Sequence, residues 1–149
     1  VQGLATNSGF GNPRRMSTGF DYNRMALILA VLEKRAGYFF SNLDTYVNVV
    51  GGLKLDEPAS DLSVAMALIS SLKNVVIADK TITFGEIGLA GEIRTVSHAT
   101  ERIMEAERLG FERCILPFHN LKNLNDDIRN SNIELIGVRT IRQAFEALS

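Results

Sequence analysis

The sequence predicts an α/β fold of the layered α+β kind, in one domain covering residues 1–149. Three observations carry this. Runs with strand character alternate with helical runs along the chain. Two of the helical runs are broadly apolar, which places them inside a layered core. The length of 149 residues, with 46% hydrophobic and 22% charged, is that of a single globular unit with a sizeable core.

The elements come in this order. Residues 1–5 read as a strand, and residues 7–19 as a loop rich in Gly, Asn, Ser and Thr with Pro13-Arg14-Arg15 at its middle. Asp21 is a helix N-cap. The run Met25-Ala26-Leu27-Ile28-Leu29-Ala30-Val31-Leu32 after it is apolar on every side and ends at Gly37, so it is expected to be the central helix. Residues 45–50 form a strand stopped by Gly51-Gly52. A second broadly apolar helix spans residues 59–72, with two short strands after it near residues 82–84 and 92–94. A third helix is expected to turn Ile103, Met104, Ala106 and Leu109 inward and Glu101, Arg102, Glu105 and Arg108 outward, with Ser97 capping its start and Gly110 its end. Residues 113–116 and 133–138 are strands flanking a polar stretch with room for a short helix. Thr140-Ile141-Arg142-Gln143 opens the last helix as a capping box, and Ile141, Ala144, Phe145 and Leu148 line its inner face.

Composition narrows the classes of function. No apolar run is long enough to cross a bilayer, and the first residues lack the pattern of a signal peptide. The absence of an initiator Met leads us to expect a piece of a longer chain. The single cysteine, Cys114, excludes an intrachain disulfide and reads as a buried structural thiol, which fits a cytoplasmic setting. The net charge of −1 conceals an asymmetry. Residues 1–35 carry Arg14, Arg15, Arg24, Lys34 and Arg35 against Asp21 and Glu33, while the remainder is acidic. This basic third faces either a polyanion or its own acidic neighbours in the fold.

Two glycine-bounded segments dominate the motifs. Gly51-Gly52-Leu53-Lys54-Leu55-x-Glu57-Pro58-Ala59-x-Asp61-Leu62 is followed by Gly85-Glu86-x-Gly88-Leu89-x-Gly91-Glu92-Ile93-Arg94, then by Glu105-Ala106-x-x-Leu109-Gly110-Phe111. With Pro13-Arg14-Arg15, Gly19-x-Asp21-x-Asn23-Arg24 and Val31-Leu32-Glu33-Lys34-Arg35, this series resembles the C-terminal domain of the bacterial RadA (Sms) family. The match runs in order over nearly the whole chain. The resemblance implies a fold like the proteolytic domain of Lon and the second domain of ribosomal protein S5. It also implies hexameric rings, a DNA-dependent ATPase driving branch migration in recombination and repair, and the recombinase RecA as a partner. No G-x-x-x-x-G-K-[ST] phosphate loop and no four-cysteine zinc finger occur in this sequence, so the ATP, Mg and zinc of the family are expected in domains outside it, and no cofactor within it.

The same resemblance tests the peptidase site. Lon uses a serine–lysine dyad, in which a neutral amine takes the hydroxyl proton and backbone N–H groups receive the oxyanion. Its Gly-Pro-Ser-Ala-Gly turn matches Glu57-Pro58-Ala59-Ser60-Asp61, which puts Ala59 at the nucleophile's place. The lysine's place falls on Arg102, which stays protonated and cannot act as a base. Asp61 would set a carboxylate where the oxyanion forms, against like charge. Ser60, one residue along, is turned by roughly 100° about a helix axis and reads with Asp61 as a helix cap and first-turn residue. Arg102 either pairs with Asp61 or Glu57 across the vacated cleft or faces solvent.

Other constellations carry little. His98 adjoins Ser97, but sequence neighbours do not face each other on a helix. His119 reads as an exposed loop residue, and Asp126-Asp127 as a solvated pair without calcium-loop spacing. No metal site is expected. Three functions stay open. The first is a non-catalytic platform for ring assembly and sequence-independent DNA binding, through Arg14 and Arg15 first, then Arg24, Lys54 and Lys73. The others are an active Lon-like serine peptidase and a purely architectural oligomerisation module.

Overall fold

A computed structural model describes residues 1–9, 11–49, 57–124, 128 and 131–148. Its elements are β1 (Gln2–Asn7), β2 (Arg15–Thr18), α1 (Tyr22–Ala36), β3 (Leu43–Asn48), a 3₁₀ turn (Pro58–Ser60), α2 (Asp61–Lys73), β4 (Thr81–Thr83), β5 (Glu86–Ile87), β6 (Ile93–Arg94), α3 (Ala99–Arg108), β7 (Arg113–Pro117), α4 (Phe118–Lys122), β8 (Glu134–Val138) and α5 (Ile141–Glu146). One sheet has the order β1-β3-β2, with β3 antiparallel to β1 and parallel to β2. A second, β4-β7-β8, is wholly parallel, and β5 and β6 form an antiparallel hairpin. This is the mixed α/β class the sequence predicts.

The first sheet alternates cleanly. Thr45 and Val47 are buried beneath it, while Leu4, Met16 and Asn48 face out. Strand β2 lies inside the stretch expected to be a loop. Its four residues are too few, and too polar, to show a period of two, and pairing with β3 makes it a strand.

Helix α1 starts and stops as its sequence demands: Asp21 accepts from the Arg24 N–H at 2.9 Å, and Gly37 ends it in a left-handed conformation. It is not the central helix. Met25, Ile28, Leu29, Val31 and Leu32 are buried, but Tyr22, Ala30, Lys34 and Arg35 are exposed. Alanine reads as apolar in a sequence yet tolerates water at little cost, so Ala30 concealed the solvent face. Helix α2 takes the central place. Leu62, Val64, Ala65, Met66, Leu68 and Ile69 are each at most 1% exposed, and the helix packs on β1, α1, α5 and β5.

The parallel sheet separates two apolar clusters, as strands covered on both faces do. Ile115 and Val138 join the cluster around α1, α2 and α5; Cys114 and Leu116 join Phe84, Ile103 and Ala106 under α3. Burial pushes the Cys114 thiol up to about 12, which leaves it protonated and inert at neutral pH. Around α3 two expectations are overturned. Met104 and Leu109 are 55% and 59% exposed, because α3 is only ten residues long and a single narrow stripe, Ala99, Ile103 and Ala106, covers the cluster. Ser97 is not the cap; His98 occupies that position at φ 61° without a capping bond. His119 sits on α4 rather than in a loop, and it is exposed. At α5 the Thr140 hydroxyl accepts from Gln143 N–H, but the Gln143 side chain accepts from the Arg139 N–H instead of that of Thr140.

Gly3 shows how closely α2 meets the first sheet: a Cβ there would stand 3.0 Å from the backbone of Ala67 and Leu68. Gly3→Val is expected to lower stability by about 1–3 kcal/mol through overpacking against main chain that cannot move aside. Chemical denaturation of the two proteins measures this, and equal midpoints would contradict the contact.

Candidate functional site

The two glycine-bounded motifs meet at the start of α2. Main-chain bonds join them: the Gly85 N–H donates to Ala59 O at 2.9 Å, and the Leu62 N–H donates to Gly85 O at 3.0 Å. A Cβ on Gly85 would lie 2.9 Å from Ile93 Cγ2 and 3.4 Å from Leu62 and Pro117, so only glycine lets the segment run this close. The Gly51–Asp56 stretch, with Lys54, lies outside the described residues, as do Asp126 and Asp127.

Between the 3₁₀ turn, β4 and α3 lies a groove of about 460 Å³ with Ile82, Phe84 and Ala106 in its lining. Ala59 and Ser60 border it at 4% and 8% exposure. The Ser63 hydroxyl donates to Thr83 O at 2.7 Å, tying α2 to β4 beside it. Among the described residues no lysine lines this groove.

Arg102 closes one side of the groove instead of pointing outward from α3. Its Nη1 and Nη2 donate to Glu57 Oε1 and Oε2 at 2.8 and 3.3 Å, and its Nε donates to Ser97 O at 3.0 Å. The guanidinium also stands 6.0 Å from the Phe84 ring centroid. This bidentate fork holds the Glu57 carboxyl below its ordinary range, chiefly through the hydrogen bond. Of the three alternatives open for Arg102, the pair with Glu57 is the one formed.

Asp61 does not line the groove. It is fully buried, and Arg24 Nε donates to its Oδ1 at 3.0 Å while Arg24 Nη2 donates to Oδ2. The Ile87 N–H donates to Oδ2 as well, at 3.0 Å. The carboxylate expected in the oxyanion's place is therefore turned into a three-way joint between α1, α2 and β5. The hydrogen bond from Arg24 to Asp61 raises the Arg24 pKa, and Glu86 lies 3.9 Å from Arg24 Nη2. Sequence reasoning missed this joint. Its signal was present: a carboxylate heading a broadly apolar helix must find a cation.

The described members of the basic set singled out from sequence are differently engaged. Arg24 is committed to Asp61. Arg14 immediately precedes β2 and Arg15 opens it. Arg14 is exposed, its N–H donating to Asp44 Oδ1 at 2.7 Å; Arg15 is half-buried. Lys73, in the last turn of α2, is exposed with its ammonium 5.7 Å over the Tyr38 ring. Among the described residues no group of three or more His, Cys, Asp or Glu side chains is placed to hold a metal ion.

The chain is similar to known proteins along most of its length. The family described as subunit ChlI of Mg-chelatase matches residues 17–120. DNA repair protein RadA of Halalkalibacterium halodurans is 49% identical over 146 residues, which is 98% of this chain and 31% of that protein. RadA of Bacillus subtilis is 44% identical over 97% of the chain, and RadA of Chlamydia pneumoniae 45% identical over 99%. The chain spans about a third of the length of these curated relatives, 31–32%.

The Arg24–Asp61 joint yields a stability test. Arg24→Ala leaves a buried carboxylate without its cation and is expected to cost on the order of 3 kcal/mol. Replacing both partners, as Arg24→Met with Asp61→Leu, is expected to restore a large part of that loss, because no unpaired charge remains. Urea unfolding of the single and double variants measures it, and a double variant no better than the single would contradict the reading.

Proposed function

The chain belongs to the ChlI family, in the form found within DNA repair proteins named RadA, and from that premise we propose that it is a non-catalytic Lon-like domain acting in DNA repair. In this reading it serves as a ring-assembly scaffold and as a platform that binds DNA without regard to sequence. Hexamer formation, coupling to an ATPase with its Mg and zinc sites elsewhere in the protein, engagement of the recombinase RecA and residence in the cytoplasm are parts of the same proposal.

One observation carries the non-catalytic part. The position matched to the Lon nucleophile holds Ala59, and the side chain matched to its base is an arginine locked on Glu57. An alanine has no atom with which to attack a carbonyl. A guanidinium does not give up its proton at physiological pH, so Ser60 has no proton acceptor in Arg102. Asp61, paired with Arg24, is unavailable as a substitute base. Peptidase activity is the second reading only because Ser60 borders the groove.

The DNA-binding part rests on Arg14. It is exposed, lies immediately before the edge strand β2, and has no carboxylate partner for its guanidinium among the described residues. Phosphate contacts of this kind confer affinity without sequence preference.

Two measurements test the proposal. Incubation of the purified chain with unstructured peptides is expected to give no cleavage, and Ser60→Ala is expected to behave identically; hydrolysis abolished by Ser60→Ala would install the peptidase reading. Titration of DNA across salt concentrations is expected to show log affinity falling with log salt, and Arg14→Ala to reduce that slope by about 1 for the lost phosphate contact. A chain that does not bind DNA at low salt would leave the architectural role alone.

A further inference from the structure

We infer that the chain holds a second phosphate-binding site, for the backbone of DNA, in the cleft between the β5–β6 hairpin and the segment joining β8 to α5. The inference rests on the DNA-binding reading above and adds residues from the far side of the sequence, outside the basic first third.

The cleft measures about 480 Å³ and is lined by Glu86, Glu92, Ile93, Arg94, Thr95, His119 and Arg139. Its three basic residues come from β6, from α4 and from the segment joining β8 to α5, and main-chain and side-chain bonds tie these together. The Ile93 N–H donates to Arg139 O at 2.9 Å, and Glu92 pairs with Thr140, so the backbone carrying Arg139 is held against β6, and both arginines line the cleft. Val96 and Asn120 exchange two hydrogen bonds, at 2.9 and 3.1 Å, which anchors α4 and with it His119. The Arg139 guanidinium lies 4.0 Å from the centroid of the Phe118 ring, a stacking that fixes its plane ahead of any ligand.

Charge decides what such a cleft receives. Arg139 is exposed. The Arg94 side chain is 56% exposed and, among the described residues, its ion pair is with Glu92 at 3.9 Å; the same Glu92 oxygen also accepts from the Ala90 N–H of its own turn at 3.3 Å. The other acid, Glu86, faces Arg24 at 3.9 Å. Two arginine forks and an imidazole thus remain open to solvent, with one apolar residue, Ile93, in the lining. That arrangement has donors for phosphate oxygens and no aromatic slot for a base, which suits a phosphodiester backbone rather than a free nucleotide.

The test is a salt series of DNA titrations on the chain. Arg94→Gln with Arg139→Gln is expected to weaken binding at low salt and to reduce the slope of log affinity against log salt by about 2, one for each phosphate contact removed. Arg94→Lys with Arg139→Lys is expected to keep the slope, and Arg108→Gln, on α3 outside the cleft, to leave it unchanged. In the unaltered protein, DNA is expected to shield Arg94 and Arg139 from phenylglyoxal, read by mass spectrometry, which needs no variant to fold. Wild-type slope in the double glutamine variant, an equal loss in Arg108→Gln, or no shielding would overturn the site while leaving DNA binding intact. No DNA binding by the unaltered chain would overturn both.

Discussion

The structure turns on one buried carboxylate. Asp61 stands at the first position of a broadly apolar helix, and it is itself completely out of water. A charge so placed is tolerable only when every oxygen is engaged. Arg24 from α1 and the Ile87 N–H from β5 meet that demand. The same bonds set the angle at which α2 leaves the 3₁₀ turn and hold the β5–β6 hairpin against it. Such a pair adds little net stability over an apolar alternative. Its effect is to specify which surfaces meet, since any other arrangement strands the charge.

The joint in turn sets the shape of the groove. With α2 fixed at its start, Ala59 and Ser60 border an apolar-floored space, and Arg102 spans its side to reach Glu57. The charged groups at the start of α2 and on the groove's side are paired with one another. Asp61 answers Arg24, Glu57 answers Arg102, and Ser63 answers the Thr83 carbonyl. A catalytic site keeps a reactive group unsatisfied until substrate arrives; here Asp61 and Glu57 are already engaged by arginines of other elements. This is the physical basis for proposing a scaffold rather than a peptidase, and for looking to exposed arginines for the partner.

Those arginines divide into two kinds. Arg24 and Arg102 are half-buried and bidentate, serving as internal struts. Arg14, Arg94 and Arg139 keep their forks toward solvent, on segments stitched down by main-chain bonds. A rigid backbone under a free guanidinium suits recognition of phosphate: little ordering entropy is lost on contact, and no internal partner must be displaced.

Much of this architecture was legible in the chain itself. The Asp21 cap, the Gly37 stop, the buried Cys114, the alternation of strands with helices and the absence of a hydroxyl at Ala59 all depend on local residue chemistry, which a sequence states directly. Other features were not legible. Strand β2 is too short and polar to declare itself, Ala30 looked apolar while facing water, and Met104 and Leu109 looked buried on a helix too short to bury them. The partners of Arg24 and Arg102 and the company kept by Arg94, His119 and Arg139 belong to the same group. Each of these depends on which distant segments meet: Arg24 and Asp61 are 37 residues apart, and Arg102 and Glu57 are 45. Sequence determines which groups must be buried, capped or charged; only the tertiary structure decides which of them satisfy one another, because pairing is set by the packing of whole elements and not by neighbours along the chain.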